Sequence, residues 1–224
     1  MSEPAGNASD AAAPAPWSLT GRGYIVLLRS PRDAAATGTP DALATAKRSG
    51  PALMMFVDYA TSGVGPYREL LYIPGRFREG DGHHWSITRI VVSSEASVRA
   101  GRANWGIPKE LADFDLRPAA GGGERITVTR GDRTLAELEF DAPGLRLPGG
   151  GGLLPAPLRR MVQYRHDRRY LFTPGARGPI AWTALRSLVT DGEYFPALGP
   201  ECVLAALAAP DFKLTFPAAA VQAT

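Results

Sequence analysis

The sequence predicts an α+β fold that is mainly β: one largely antiparallel sheet domain with a few helices packed on it. Many short apolar or alternating segments are separated by turns, and the chain has 25 glycines and 20 prolines to build them. Segments with helical spacing are few. No internal repeat or break in composition divides the chain, so residues 17–224 are predicted to form a single domain. Residues 1–16 are rich in Ala, Pro, Ser and Gly, and we interpret them as a flexible tail.

The strand predictions depend on β-branched and apolar runs, some with a period of two. In residues 124–130, Ile126 and Val128 alternate with Thr127 and Thr129, as expected for a half-buried strand. The run at 53–59 is apolar throughout, which indicates burial on both faces. The predicted strands are 24–28, 53–59, 70–73, 85–92, 124–130, 134–140, 164–173, 180–189 and 212–216.

Three segments carry helical signals. Ser94 is a suitable N-cap, Glu95 would favour the helix dipole, and Gly101 could end this helix. A second helix is predicted at 200–208, where Pro200 stands at the start with Glu201 beside it. The segment 41–48 is a weaker third candidate.

Composition excludes several classes of protein. Hydrophobic residues make up 45% and charged residues 21%, as in folded globular proteins. The apolar runs fall short of the roughly 20 residues that span a bilayer, which argues against a membrane protein. The N-terminus lacks the basic and apolar regions of a secretory signal, and the single Cys202 fits a reducing compartment, so we predict a cytoplasmic protein.

A basic cluster offers a nucleic-acid alternative. It comprises Arg159, Arg160, Arg165, Arg168 and Arg169, in a chain whose net charge is only +3. No nucleic-acid module surrounds it, and apolar residues are interleaved with the arginines. We therefore predict no nucleic-acid partner and interpret the cluster as a strand face or a subunit contact.

The best candidate for covalent chemistry is Lys109, one of only three lysines, beside Lys47 and Lys213. Gly106 permits a bend before it, and Pro108 restricts the backbone on either side. Trp105 is among the apolar neighbours that could desolvate the amine, lower its pKa and make it a nucleophile. Without further information, a lysine that extends its amine into water remains the commoner alternative.

A second segment, 61–70, combines a glycine-rich turn with a carboxylate at the start of an apolar strand. Glu69 could orient a lysine amine or contact a substrate, or it could form an ion pair with an arginine. The adjacent pair His83 and His84 would point to opposite strand faces, so a metal site is not expected. No phosphate loop or nucleophile elbow is present.

These two segments together resemble the acetoacetate decarboxylase family. The pattern Ser62-Gly63-x-Gly65-x-Tyr67-x-Glu69 is similar to the glycine turn and glutamate of the family. Gly101-Arg102, followed by Pro108-Lys109, is similar to the segment that carries its Schiff-base lysine. A shorter match, 21–25, places Arg22 where an arginine of the family faces the substrate carboxylate.

The resemblance implies a β-rich cone or barrel-like domain that encloses an apolar pocket and assembles into a homo-oligomer. It implies a lyase for a small keto acid, with Lys109 and Glu69 as catalytic residues. Arg22, Arg102, Tyr67 and Trp105 are the expected substrate-binding residues, although Arg102 could instead brace the turn that carries Lys109. The imine would serve as the electron sink, so no cofactor or metal is implied.

Two departures from the family pattern leave the reaction open. Glu110 occupies the place of a second lysine, and Met54 falls where a further acidic residue is expected. Only desolvation would then lower the pKa of Lys109. Decarboxylation of a β-keto acid and related aldol or dehydration steps both remain possible. The alternative of another class is a non-catalytic β-barrel that binds a small apolar or carboxylated ligand.

Overall fold

The computed structural model describes residues 12–29, 37–80, 82–147 and 159–224, and within these ranges the chain forms three β-sheets and one α-helix. Numbered in chain order, the strands are β1 (Trp17–Leu28), β2 (Arg48–Ser49), β3 (Ala52–Thr61), β4 (Tyr67–Ile73), β5 (Arg76–Glu79), β6 (Gly82–Trp85), β7 (Arg89–Val92), β8 (Glu110–Leu111), β9 (Asp113–Pro118), β10 (Glu124–Arg130), β11 (Arg133–Phe140), β12 (Arg146–Leu147), β13 (Met161–Arg165), β14 (Arg168–Phe172), β15 (Gly175–Arg177), β16 (Ile180–Thr183), β17 (Leu185–Thr190), β18 (Val203–Phe216) and β19 (Ala220–Ala223). The helix, α1, spans Glu95–Trp105, and short 3₁₀ turns lie at Asp41–Leu43, Ala120–Gly122 and Pro200–Cys202.

The largest sheet has nine strands in the order β12-β16-β18-β1-β3-β4-β7-β8, with β15 also paired to β18. Its pairs are antiparallel except β7–β8. A four-stranded sheet has the order β17-β11-β10-β9, and a six-stranded sheet the order β19-β14-β13-β6-β5-β2. Within the described ranges the strand orders are open, so the predicted mainly β, largely antiparallel fold is confirmed without closure into a barrel.

The large sheet is buried on both faces, which explains the continuous apolar run at its centre. Along β3, Met54 and Phe56 belong to one core cluster, which also contains side chains of the four-stranded sheet. The alternate residues Val57 and Tyr59 belong to a second cluster with α1 and the six-stranded sheet. Because side chains alternate across a strand, β3 supplies both cores at once.

The helix begins as predicted and extends further. The Ser94 side chain accepts a hydrogen bond from the backbone N–H of Ser97, as an N-cap does. The helix passes through Gly101 and ends at Trp105, where Gly106 adopts φ 64°. A left-handed glycine at this position is the usual helix stop. In the described parts of the chain, no helix is long and apolar enough to cross a membrane.

The helix predicted at 200–208 is wrong. Only the 3₁₀ turn Pro200–Cys202 forms there, and the following alanine-rich segment belongs to β18. Ala205, Ala206 and Ala208 pair with Leu27, Val26 and Tyr24 of β1. Alanine favours helix locally, but the long ladder with β1 and the burial of alternate residues outweigh that preference.

Three further predicted elements have different boundaries in the structure. The helix predicted at 41–48 is reduced to the 3₁₀ turn Asp41–Leu43. The strand predicted at 164–173 is the hairpin β13–β14, whose turn residues His166 and Asp167 have φ of 46° and 53°. The strand predicted at 85–92 is divided between β6 and β7.

The predicted tail, 1–16, falls partly outside the described residues, which begin at Ala12. Within the described part, the Pro14 carbonyl accepts a hydrogen bond from the Trp17 indole, and the Ala13 carbonyl accepts one from Asn104. Ala12, Ala13 and Ala15 pack against the second core cluster. Residues 12–16 therefore contact the domain.

Candidate active site

Lys109 is held by the end of α1 and the turn that follows it. The Gly106 N–H bonds to the Arg102 carbonyl, and the Lys109 N–H bonds to the Ile107 carbonyl at 2.8 Å. The Arg102 guanidinium donates from Nε to the Lys109 carbonyl at 2.8 Å. The backbone on which the lysine stands is thus fixed from several sides.

Gly101 makes room for the lysine stem. A Cβ atom at this position would lie 2.6 Å from Lys109 Cδ and 2.9 Å from Cε. The backbone of Gly101 is helical, so the glycine is required by this close approach and not by its φ angle. The stem therefore crosses the helix surface and delivers the amine to the first turn of α1.

The lysine amine has three hydrogen-bond partners, as many as an ammonium has protons. Nζ lies 2.8 Å from Glu69 Oε2, 3.0 Å from Ser97 Oγ and 3.2 Å from Tyr67 Oη. It also lies 4.9 Å from the centre of the Tyr67 ring. Lys109 and Glu69 are each only 4% exposed, so this ion pair is shielded from water.

The strand register explains why Glu69 is available. Glu69 on β4 stands between Val57 on β3 and Val92 on β7, in the middle of the large sheet. Its face of the sheet also carries Tyr59, whose hydroxyl lies 3.5 Å from Glu69 Oε1. One carboxylate therefore contacts the lysine and a buried tyrosine.

The resting pair is charged, contrary to the sequence-based expectation for the lysine. Burial lowers the pKa of Lys109, but attraction to the Glu69 carboxylate and contacts with Tyr67 outweigh it, so the pKa lies above its usual value. Burial, reinforced by Glu69, raises the pKa of Tyr59 well above its usual value. Burial also raises the pKa of Tyr67, although Lys109 opposes the shift. At neutral pH Lys109 is therefore an ammonium, and both tyrosines are neutral phenols.

This polar group opens onto a large apolar cavity with room for about 240 Å³ of water-sized groups. Tyr59, Tyr67, Glu69 and Lys109 line it, and they contact one another. Most of the remaining wall is apolar and includes Leu19, Leu71, Ile87, Ile90, Trp105 and Phe212. A small molecule in the cavity would meet the amine in a largely dry environment.

The structure brings together four of the six predicted site residues. Lys109, Glu69, Tyr67 and Trp105 all line the cavity. The Trp105 ring packs edge-on against Trp17, with centroids 5.1 Å apart, and its indole N–H bonds to the Pro217 carbonyl at 2.7 Å. Trp105 therefore contributes an apolar ring surface to the cavity.

The two predicted arginines lie elsewhere. Arg102 braces the lysine turn, as the sequence allowed, and is not among the residues that line the cavity. Arg22 is directed away from it and makes a bidentate contact with Glu124 at 2.8 and 2.9 Å, with Asp58 at 3.1 Å. The expectation that Arg22 faces a substrate in this cavity is corrected, because successive residues of β1 point to opposite faces of the sheet.

The two positions that depart from the family pattern also point away from the amine. Glu110 forms an ion pair with Arg130 at 3.0 Å. Met54 is fully buried in the first core cluster, on the opposite side of the large sheet. Neither residue lines the cavity, so neither explains the charge state of Lys109.

Sequence reasoning missed Ser97 and Tyr59. Ser97 is a fully buried polar residue of α1, four positions before Gly101, so both lie on one helix face. That spacing was a usable signal once the lysine was known to cross Gly101. Tyr59 follows Val57 on the same strand face, but nothing local distinguishes it from an ordinary core aromatic residue.

Two arginines of the basic cluster have partners within the chain. Arg169 of the basic cluster contacts Glu79 at 2.6 and 2.8 Å, and Arg159 donates to the Pro174 carbonyl. Within the described ranges, no group of three or more His, Cys, Asp or Glu side chains is placed to hold a metal ion.

Comparison with known proteins identifies the family of this chain. The family model of acetoacetate decarboxylase matches residues 2–170, three quarters of the chain. The chain belongs to the acetoacetate decarboxylase family. No sequence among the curated proteins matches it significantly.

Solved structures of this family share the fold at low identity. The enduracididine biosynthesis enzyme MppR, complexed with pyruvate, aligns with a TM-score of 0.67 and 18% identity over 96% of this chain and 93% of its own. Acetoacetate decarboxylase from Legionella pneumophila aligns with a TM-score of 0.66 and 14% identity over 93% of this chain and 88% of its own. An acetoacetate decarboxylase-like enzyme from Sphingomonas wittichii RW1 aligns with a TM-score of 0.62 and 15% identity over 94% of each chain. These identities make the present chain a divergent member of the acetoacetate decarboxylase family.

Proposed function

We propose that this protein is a carbon–carbon lyase that forms an imine between Lys109 and the ketone of a small keto acid. The observation that carries the proposal is the buried contact, 2.8 Å long, between Lys109 Nζ and Glu69 Oε2 at the wall of an apolar cavity. Membership of the acetoacetate decarboxylase family supports the same reaction class.

Glu69 supplies the route from the resting ammonium to a nucleophilic amine. Transfer of one proton along the Lys109–Glu69 hydrogen bond gives a neutral amine and a neutral carboxylic acid, with no proton exchanged with solvent. Burial disfavours the charged pair relative to this neutral one. An apolar substrate that displaces water from the cavity increases that effect. The neutral pair can support the reaction even as a minor population, because each tenfold decrease in that population adds only about 1.4 kcal/mol to the activation free energy.

The imine forms through a carbinolamine. The amine nitrogen attacks the ketone carbon, and the ketone oxygen takes the proton held by Glu69. Glu69 then takes one proton from the nitrogen and passes it to the hydroxyl of this carbinolamine, which leaves as water, and the nitrogen becomes a protonated imine. For a β-keto acid, the bond to the carboxylate breaks, its electron pair moves to the iminium, and carbon dioxide and an enamine result. Protonation at carbon and hydrolysis release the ketone and restore Lys109.

Tyr67 and Ser97 are suited to orient the amine during these steps, since each lies within 3.2 Å of Nζ. Tyr67 remains a neutral phenol at working pH because its pKa is raised by burial. It can therefore donate a hydrogen bond to a developing alkoxide on the substrate.

A second reaction of the same imine fits the charge of the cavity. Among the described residues that line the cavity, the cationic ones are Lys109, which is already paired with Glu69, and Arg177, which is exposed. Cleavage or formation of a carbon–carbon bond by aldol chemistry uses the same enamine and needs no carboxylate site. The alternative of another class, a non-catalytic carrier of an apolar ligand, is consistent with the apolar wall but gives no role to the Lys109–Glu69 pair.

Borohydride trapping tests the proposal. Reduction in the presence of acetoacetate, pyruvate and longer keto acids should convert the imine into a stable secondary amine at Lys109, located by peptide mass spectrometry. The matched control is Lys213→Arg, an exposed position, which should leave the adduct intact. Carbon dioxide release and carbonyl products would separate decarboxylation from aldol chemistry. An unlabelled Lys109 across the whole panel would contradict the proposal and favour a carrier.

A further inference from the structure

The wall of the Lys109 cavity points to the class of substrate, an inference that rests on the proposed function. We propose that the ketone with which Lys109 condenses carries an apolar chain or ring that fills the cavity, and that this apolar part is what the protein recognises. The polar recognition is limited to the carbonyl itself.

The apolar wall is built from all sides. It comes from β1, β3, β4, β7 and β18, from the end of α1 and from the segments around β13 and β15. Its apolar side chains include Leu19 of β1, Leu71 of β4, Ile90 of β7, Met161 of β13 and Phe212 of β18. Sites that bind apolar ligands have such walls, with a few polar groups that fix orientation.

Four of the polar side chains that line the cavity, Tyr59, Tyr67, Glu69 and Lys109, gather at one place on its wall. Tyr59, Tyr67 and Glu69 are linked to one another or to Lys109 by the contacts already described. A carbonyl can be bound there, but these groups already contact one another, so a second polar substituent would compete with those contacts. A polar group further along the cavity would lose its hydration without compensation.

A charged tail is also disfavoured, because the cations near the cavity face outward. Arg177 borders the cavity, but it stands directly opposite Lys213 on β18. Side chains that are directly opposite share one face of a sheet. The neighbours of Lys213, Phe212 and Leu214, line the cavity, so Lys213 and Arg177 belong to the outer face. Both are exposed.

The available space suits a substrate larger than a four-carbon keto acid. The centres of water-sized groups can occupy about 240 Å³, whereas one water molecule needs about 10–15 Å³ on the same measure. A short substrate would leave most of the apolar wall without contacts. A longer chain would bury its own apolar surface and the wall together.

A chain-length series tests this inference. The probes are unbranched methyl ketones and their β-keto acids with four to twelve carbons, scored by the concentration that gives half-maximal borohydride-trapped adduct at Lys109. Each added methylene should lower that concentration roughly three- to fourfold until the cavity is full. Adducts that form equally well at every length would overturn the inference and leave the proposed function standing. Absence of any adduct would overturn both.

Binding without covalent chemistry provides an independent measurement. In the double variant Lys109→Met/Glu69→Gln, both charges are removed together, so no unpaired charge is left buried. Calorimetric titration with the same methyl ketones should retain the chain-length gradient. A flat series in a folded double variant would overturn the assignment of recognition to the apolar wall.

Filling the cavity should shift the preferred length. Ala176 lines the cavity and stands opposite Leu214 on the edge strand β15, so a larger side chain there enters the cavity with little disturbance of the sheet. Ala176→Phe should weaken the longest ketones at least tenfold and spare the shortest. The matched control is Ala223→Phe on the exposed strand β19, which should leave the series unchanged. Equal weakening of all lengths by Ala176→Phe would contradict the inference.

Discussion

At the scale of single residues, the decisive feature is that the anion beside Lys109 outweighs its burial. A lysine alone in this cavity would lose its proton easily, whereas the Glu69 carboxylate 2.8 Å away keeps it charged. Because the pKa of Lys109 is raised in the folded state, the pair stabilises the fold fully at pH values below the unfolded pKa of about 10.4. That contribution disappears as the pH rises through the folded pKa.

Replacement of Glu69 by glutamine should reverse the shift. In Glu69→Gln the burial remains and the anion is gone, so the pKa of Lys109 should fall below its ordinary value. The folded protein should lose about 3–5 kcal/mol at neutral pH, because a buried charge is left unpaired. Turnover should fall about 10²- to 10⁴-fold, as expected when a proton-transfer group is lost.

The measurement is the pH dependence of the reaction of Lys109 with an amine-specific reagent, followed by peptide mass spectrometry. The control is Glu110→Gln, adjacent in sequence but paired with Arg130, which should leave the pKa of Lys109 unchanged. A pKa that stays high in Glu69→Gln would show that the carboxylate does not set the charge state of the amine.

At the scale of elements, α1 and the turn after it position the Lys109 side chain. Ser97 and Gly101 lie on one face of the helix. Ser97 contacts Nζ, and the aliphatic stem of Lys109 packs over Gly101. Arg102, from the same helix, holds the Lys109 carbonyl. The helix thus holds both the backbone of Lys109 and its amine, while β4 supplies the carboxylate.

The variant Gly101→Ala distinguishes an effect on the position of the Lys109 side chain from an effect on the stability of the fold. Alanine is favoured over glycine within a helix by about 0.8–1 kcal/mol, yet the new Cβ would lie 2.6 Å from Lys109 Cδ. The stem must move away, and Nζ then loses its position beside Glu69. We expect a folded protein whose kcat falls at least tenfold, measured together with trapping efficiency at Lys109.

The matched control on the same helix is Ala103→Gly, at an exposed position. It should lower the free energy of unfolding by about 1 kcal/mol and leave kcat unchanged. If Gly101→Ala retains full activity, the close packing of glycine and lysine stem has no functional role.

At the scale of the whole molecule, one partly buried ionic cluster connects the two halves of the six-stranded sheet. Glu79, at the end of β5, accepts hydrogen bonds from Arg169 of β14 and from the Tyr164 hydroxyl of β13. The strands β13 and β6 themselves share a single register pair, Met161 with Trp85. Side-chain contacts therefore carry much of this connection.

The cluster should make stability depend on pH in the acid range. Burial raises the pKa of Glu79, but hydrogen bonds from Arg169 and Tyr164 outweigh it, and the pKa is lowered overall. A carboxyl with a lowered pKa stabilises the fold above its unfolded pKa of about 4.3, and this contribution is lost as the pH falls through the folded value.

Glu79→Gln should therefore destabilise the protein by about 1.5–3 kcal/mol at pH 7, and the difference from the wild type should shrink below about pH 4. Urea denaturation over a series of pH values measures this. The control, Glu95→Gln in an exposed pair with Arg99, should have little effect at any pH. A difference that is constant from pH 3 to pH 7 would exclude an ionic contribution from Glu79.

Local patterns were sufficient for much of the fold. The alternation at 124–130, the N-cap Ser94 and the apolar run of β3 each predicted the structure that forms. Pairing over long distances decided the segment at 203–216, where the ladder with β1 turns an alanine-rich sequence into a strand. A helix preference of a few tenths of a kcal/mol per residue cannot compete with such a ladder.

By itself, the sequence determined which chemistry is available: one lysine in a rigid apolar turn, a glutamate and a tyrosine after a glycine turn, and an arginine on β1. Only the tertiary structure decided how these groups meet. Alternation defines two faces of a strand but does not say which face meets the cavity, and Arg22, which a short resemblance to the family placed at the substrate, lies on the other face with Glu124. The charge of Lys109 likewise depends on Glu69, forty residues away in the chain, because the pKa of a buried amine is set by its neighbours in space.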